Sequence, residues 1–119
     1  MRLTGNKTTY MKGQIDFETF LGIEKQLEIK LGTIQHVEQM PNSDKMLKLS
    51  VYFGGDDTRT VMTNIGNKVN VTDLWYTTLP FITNLKPAKI MGEMSTAMIM
   101  VPSVEGEINL AAPSGSQLM

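Results

Sequence analysis

Cysteine is absent from this chain, and its absence excludes a disulfide framework, a thiolate nucleophile and a zinc ribbon, leaving a reducing compartment as the expectation. Histidine occurs once, as His36. Paired with Glu38 on the same side of a strand-like stretch it supplies two potential ligands, where a metal site needs three or four, so no metal or cofactor is expected. An excess of charge is also missing: 11 Lys and Arg stand against 12 Asp and Glu, a net charge of -1. That balance exerts no global pull toward nucleic acid or membrane, and any such affinity has to be local. No apolar run approaches the ~20 residues of a spanning helix. The opening "MRLTGNKTTYMKGQ" lacks the apolar stretch of a signal peptide, so a cytoplasmic protein is expected. Neither a phosphate-binding glycine loop nor a serine elbow is present, and Asp56 and Asp57 lie in a turn that selects such residues for its own chemistry. The reading is non-enzymatic. Internal repeats and low-complexity segments are lacking too.

What is present is one domain's worth of chain: 119 residues, 41% hydrophobic, enough to build a core. Residues 1–14, polar and glycine-containing, read as a flexible leader, with the folded domain over 15–119. Asp16 precedes "FETFLGIEKQ", where Phe17, Phe20, Leu21 and Glu24 keep helical spacing, which predicts a capped helix with one buried apolar face. In "LEIKLGTIQHVEQ" the apolar phase set by Leu27, Ile29 and Leu31 changes after Gly32 to Ile34 and Val37, which predicts a strand with a bulge or bend at the glycine. Leu47, Leu49, Val51 and Phe53 alternate with polar residues ahead of "GGDD" and "TRTVMT", a hairpin pattern. "VTDLWY" reads as one helical turn started by Thr72. A strand "TTLPFIT" follows, in which Pro80 belongs at an edge or bulge, and "STAMIMVP" and "EINLAA" add extended segments. Five to six short antiparallel strands, with a bent first strand and a small helix between the third and fourth, describe an all-β, five-stranded barrel of OB type; a β-sandwich is the competing architecture. The alternation predicts a core of Leu27, Ile29, Leu31, Leu47, Leu49, Val51, Val61, Ile82 and Ile99.

One stretch resists this patterning. "NLKPAKIMGEMSTAM", from Asn84 to Met98, shows neither helical nor strand periodicity through its first half and reads as a flexible basic loop ahead of an apolar strand. Most of the ten methionines suit core gaps, but Met91 and Met94 flank Gly92 and are expected to be exposed. Together with "PNSDKML" at 41–47 and "RTVMTNI" at 59–65, this stretch resembles the linked motifs of the tRNA-binding-domain family. That family includes free-standing dimeric tRNA-binding proteins, CsaA-type proteins named as export chaperones, the C-terminal appendage of many methionyl-tRNA synthetases and the EMAP-II-like domain. Its pattern runs roughly D-x-R-V-G, P-N-A-D-K-L, I-V-S-G-I and N-L-K-P-x-K-x-M-G-x-x-S-x-G-M, and the resemblance covers about residues 16–116.

The resemblance implies an OB barrel, no catalysis, no cofactor, and a homodimer holding structured tRNA in a loop-lined groove. The residues it implies for that groove are Lys30, Asn42, Lys45, Thr63, Asn64, Asn84, Lys86, Lys89, Met91 and Ser95. In this reading Lys86 and Lys89 face phosphates, Asn84 and Ser95 hydrogen-bond to bases or ribose, and Met91 touches a base face. Lys30 stands where the family has arginine, Thr63 and Asn64 replace Ser-Gly, Ala97 replaces glycine, and "WYTTLPFIT" lacks the lysines usual before the long motif. These departures thin the basic patch. Two other roles stay open: a CsaA-type hold on unfolded polypeptide in the same groove, or an accessory subunit of an aminoacyl-tRNA synthetase. The structural alternative is a solvated loop whose lysines blunt an edge, with Asn42 and Asp44 capping a turn.

Overall fold

The structure is a computed structural model that describes residues 12–104 together with 107–108, 110, 114 and 117–118. Most of the expected leader, residues 1–11, lies outside the described residues. Helix α1 (Phe17–Gln26) begins at Asp16, whose Oδ1 accepts a hydrogen bond from the Thr19 amide at 2.8 Å. That bond satisfies one of the amides a helix start leaves open and holds the Asp16 carboxyl below its usual pKa. Leu27 then turns to extended backbone and ends the helix.

Ten short strands follow among the described residues: β1 (Ile29–Gln39), β2 (Leu47–Tyr52), β3 (Thr58–Thr63), β4 (Thr78–Ile82), β5 (Ala88–Ile90), β6 (Glu93–Ser95), β7 (Met98–Ile99), β8 (Pro102–Val104), β9 (Glu107–Ile108) and β10 (Gln117–Leu118). The main sheet is antiparallel, in the order β3-β2-β1-β4-β7. It curls until its two edges, β3 and β7, come into contact. Beside them the Met62 amide on β3 donates to Ser95 Oγ at the end of β6, 3.0 Å away, and Ser95 Oγ donates to the Ala97 carbonyl. A 3-10 turn, Val71–Asp73, lies between β3 and β4, as the sequence predicts. This is an OB-like all-β fold. β5 and β6 form a separate hairpin, and β8–β10 a small three-stranded sheet.

The core gathers on the concave side: Ile34, Leu47, Leu49, Val51, Val61, Leu74, Phe81 and Val101 are fully buried, with Ile99 nearly so. Five of the nine expected core residues are therefore confirmed, and the other four are corrected together. Leu27, Ile29 and Leu31 are 41%, 51% and 67% exposed, and Ile82 is half-buried while its neighbour Phe81 points inward. The cause is phase. On β1 the inward positions are Gly32, Ile34 and Val37, and the register slips between Ile34 and His36. The bulge is thus at Gln35 rather than at Gly32, and Leu27, Ile29 and Leu31 ahead of it face outward. Gly32 has a different reason to be glycine: a Cβ there would lie 2.6 Å from both Phe53 and Val51 side-chain atoms.

Three further expectations change. No residue of α1 is buried, and Phe17, Phe20 and Ile23 are exposed, so the apolar face of the helix does not rest on the barrel. Pro80 is not on an edge strand, since β4 runs between β1 and β7. Its carbonyl accepts from the Met100 amide at 2.9 Å just beyond β7, so its missing N–H falls where that pairing ends. The segment from Asn84 is not an unpatterned loop, because Ala88–Ile90 and Glu93–Ser95 pair in register Ile90↔Glu93. The two residues between them, Met91 (φ 50°) and Gly92 (φ 84°), are both left-handed, as the tight turn joining two twisted strands requires.

Candidate nucleic-acid interface

Two connections converge at one end of the barrel. The first joins β1 to β2 over residues 40–46. Gln39 Nε2 donates to the Ser43 carbonyl at 2.6 Å, and Ser43 Oγ accepts from the Met46 amide at 3.0 Å. Asn42 is exposed and left-handed, with φ 62°, a conformation asparagine tolerates. Ser43 and Gln39, rather than Asn42 or Asp44, supply the side-chain bonds of this turn. The second connection runs from Thr83 to Ala97 and carries the β5–β6 hairpin.

Between them a cavity of about 420 Å³ opens against the end of β3. Its walls include Met46, Met62, Ile65, Leu85, Ala97 and Met98, with Thr63, Asn64, Lys86 and Ser95 as the polar members. In an OB barrel the loops joining strands one to two and four to five border the ligand face. The two converging connections hold those places here.

The structure gathers four of the ten expected site residues, Thr63, Asn64, Lys86 and Ser95, in this cavity wall. Ser95 is buried, and its hydroxyl is already engaged by Met62 and Ala97 in closing the barrel. Thr63 is nearly buried, whereas Asn64 and Lys86 are exposed at the rim. Lys45, Lys89 and Met91 are exposed on the flanking turn and hairpin without lining the cavity. Asn84 is exposed and works as a clamp: its Oδ1 accepts from the Glu28 amide at 2.9 Å, and its Nδ2 donates to the Gln26 carbonyl at 2.6 Å. It thereby fastens the link between α1 and β1.

Lys30 belongs to a different cluster. Its ammonium lies 3.8 Å from Glu28, and its charge also bears on Asp57. Arg59 grips Asp57 through two nitrogens at 2.8 and 3.0 Å, donates to the Thr83 carbonyl at 2.7 Å and stacks 5.2 Å above the Phe53 ring. The hydrogen bond from Arg59 holds the Asp57 carboxyl below its ordinary pKa and raises that of Arg59. This network ties the β2–β3 turn to the end of β4, and its cations are spent internally.

Sequence reasoning missed the apolar walls. Their signal was present in the methionine density around the two motifs, which was assigned to core filling; Met46 and Met98 instead line the cavity, with Met98 53% exposed. Also missed was the Lys48–Glu93 ion pair, 3.2 Å, which braces the hairpin against β2. Among the described residues no group of three potential metal ligands occurs.

The comparisons with known proteins agree with this fold. The family model described as "Putative tRNA binding domain" matches residues 29–116. The methionine–tRNA ligase of Helicobacter pylori is 32% identical over 109 residues, 90% of this chain and 17% of that enzyme. The methionine–tRNA ligase of Methanospirillum hungatei is 35% identical over 96 residues, 78% of this chain and 14% of the enzyme. The chain therefore spans about a sixth of the curated relatives it matches. Among solved structures, a MetRS-related protein from Pyrococcus horikoshii superposes with a TM-score of 0.68 at 25% identity, covering 91% of this chain and all of that one. The chaperone CsaA of Bacillus anthracis shares the fold, with a TM-score of 0.63 at 23% identity over 86% of this chain and 90% of its own. No helix among the described residues is long and apolar enough to cross a membrane. The curled antiparallel sheet and the match over residues 29–116 together place the chain in the tRNA-binding-domain family.

Proposed function

We propose that the chain is a non-catalytic, cytoplasmic tRNA-binding protein that acts as a homodimer and holds tRNA in the groove at the converging loops. The observation that carries this reading is the placement of Lys86 and Asn64 on the rim of a cavity between the two connections an OB barrel uses for ligands, in a chain of this family. Lys86 and Lys89, with Lys45 across the turn, supply ammonium groups for the phosphate backbone. Asn64 offers a donor and an acceptor to a base edge. The apolar wall suits the face of an unstacked base. Thr63 and Ser95 shape the groove from behind, and Asn84 keeps the start of the segment in place.

The homodimer is supported by an uncovered apolar surface. Phe17, Phe20 and Ile23 of α1, with Leu27, Ile29 and Leu31 beside β1, are all exposed. Exposed apolar patches mark interfaces, and a two-fold partner would present the same side chains in return. Pairing two weak RNA sites would raise avidity where both reach one tRNA. Light scattering should give twice the 13.3 kDa chain mass at micromolar concentration. A single 13.3 kDa species throughout that range would remove the dimer from the account.

A second reading has a specific observation in its favour. Met46, Met62 and Met98 make the cavity soft and apolar, which suits an extended polypeptide as well as a base. The methionine–tRNA ligase relatives equally support service beside a synthetase. Titrating total tRNA and a denatured protein against the chain at two salt concentrations separates the leading readings. Tight tRNA binding that weakens steeply with salt, and no displacement by the polypeptide, is the expected result. Salt-insensitive capture of the polypeptide in preference to tRNA would favour the chaperone role.

A further inference from the structure

Three aromatic rings stand together outside the groove and are used by nothing described so far. Trp75, the only tryptophan, meets His36 edge-on with ring centroids 4.9 Å apart at 77°, and Tyr76 leans on Trp75 at 5.8 Å and 57°. Tyr76 is 74% exposed, the most exposed large hydrophobic side chain among the described residues. Its backbone is left-handed, with φ 60°. That conformation is needed where the chain leaves the 3-10 turn for β4: the Tyr76 amide donates to the Ile34 carbonyl at 2.7 Å, and the Thr77 amide to the Leu74 carbonyl at 3.2 Å. Glycine or asparagine meets such a backbone demand without strain. A tyrosine here accepts strain while leaving its ring in solvent, so neither turn formation nor core packing accounts for it.

The location of the cluster connects it with the groove. Residues opposite one another in an antiparallel pair project from the same face. Met62, in the cavity wall, is opposite Lys48, and Lys48 is opposite Glu38. His36, two residues before Glu38, shares that face. Two strand spacings and a two-residue rise put His36 about 12 Å from Met62 along the sheet, a span a short oligonucleotide bridges.

The geometry points to a second nucleobase subsite, in which an unpaired base of the bound RNA stacks on the free face of Tyr76, with Trp75 and His36 as the backing. This rests on the tRNA-binding reading above. Tyrosine, tryptophan and histidine rings are the side chains on which splayed RNA bases stack, and stacking tolerates any base. Glu38 on the same face disfavours phosphate there, so the base is held at the aromatic rings while the lysines of the groove hold the backbone. A cationic side chain from a partner protein is the other occupant such rings could take.

The test exploits the strained backbone. Tyr76→Gly removes the ring and relieves the left-handed strain, so the variant should melt no lower than the parent. Its affinity for tRNA should fall roughly five- to a hundredfold with the salt slope unchanged, because a neutral ring displaces no counterion. Tyr76→Phe should bind as the parent does. Trp75 fluorescence should change on adding tRNA to the parent, and much less in Tyr76→Gly. A Tyr76→Gly variant that binds tRNA with the parent's affinity overturns the inference and leaves the tRNA-binding reading standing. So does one whose only change is a lowered melting temperature. A fluorescence response to an arginine-rich peptide but not to tRNA assigns the rings to a protein partner and overturns it as well. A parent chain that binds no tRNA removes both proposals.

Discussion

Truncating Phe81 to alanine is expected to destabilise the fold by about 3–5 kcal/mol, a large share of the ~5–15 kcal/mol that holds a domain of this size together. Phe81 has no exposed surface. Its ring meets Phe53 edge-to-face at 5.3 Å and 86°, and the Arg59 guanidinium lies over the Phe53 ring. Removing it therefore costs its burial, leaves a cavity in the centre of the curled sheet and frees the ring on which Arg59 rests. Ile82→Ala is the matched control. Ile82 is only half-buried, so the same experiment should find a markedly smaller loss. Denaturant unfolding of both variants decides the inward phase of β4: equal losses, or a larger one at Ile82, would contradict it.

That comparison also shows where the sequence was legible. Strands whose two faces differ in polarity were readable residue by residue, as at Leu47, Leu49, Val51 and Val61, all fully buried. The Asp16 cap was readable because capping chemistry is local; the short turn over Val71–Asp73 was readable as a turn, but its cap is Asn70 and not Thr72, which lies inside it. The outward set Leu27, Ile29 and Leu31 was misread because alternation gives a strand's period but not which face is the core. A bulge one residue past Ile34 then moved the phase again, and nothing local marks Gln35 as the extra residue. The same limit hid the open face of α1, since an amphipathic helix looks alike whether it covers its own barrel or something else.

At the candidate site the motif residues were legible as a set, but their division of labour was not. Ser95 and Asn84 look like ligand-facing polar residues in the sequence. In the structure Ser95 bridges β3 to β6, and Asn84 fastens residues 26–28. Both partnerships are long-range, spanning 33 residues for Ser95 and up to 58 for Asn84, so no local pattern reveals them. The lysines separated for the same reason. Lys30 is drawn to Glu28 and Asp57, whereas Lys86 and Lys89 make no ion pair among the described residues.

Those two free lysines carry the second large expected effect. Both are exposed, neither belongs to the buried core, and replacing them with glutamine should leave the melting temperature unchanged. Each phosphate contact on a single-stranded site contributes about 0.7 to the slope of log affinity against log salt, because binding there releases condensed counterions. The measurement that bears most directly on the account is therefore the salt dependence of tRNA binding by the parent and by the Lys86→Gln, Lys89→Gln variant. Weaker binding by the variant at low salt and a slope flatter by roughly 1.4 are expected. A variant with the parent's affinity and the parent's slope would contradict it, because the loop-bordered groove would then not be where this protein meets RNA.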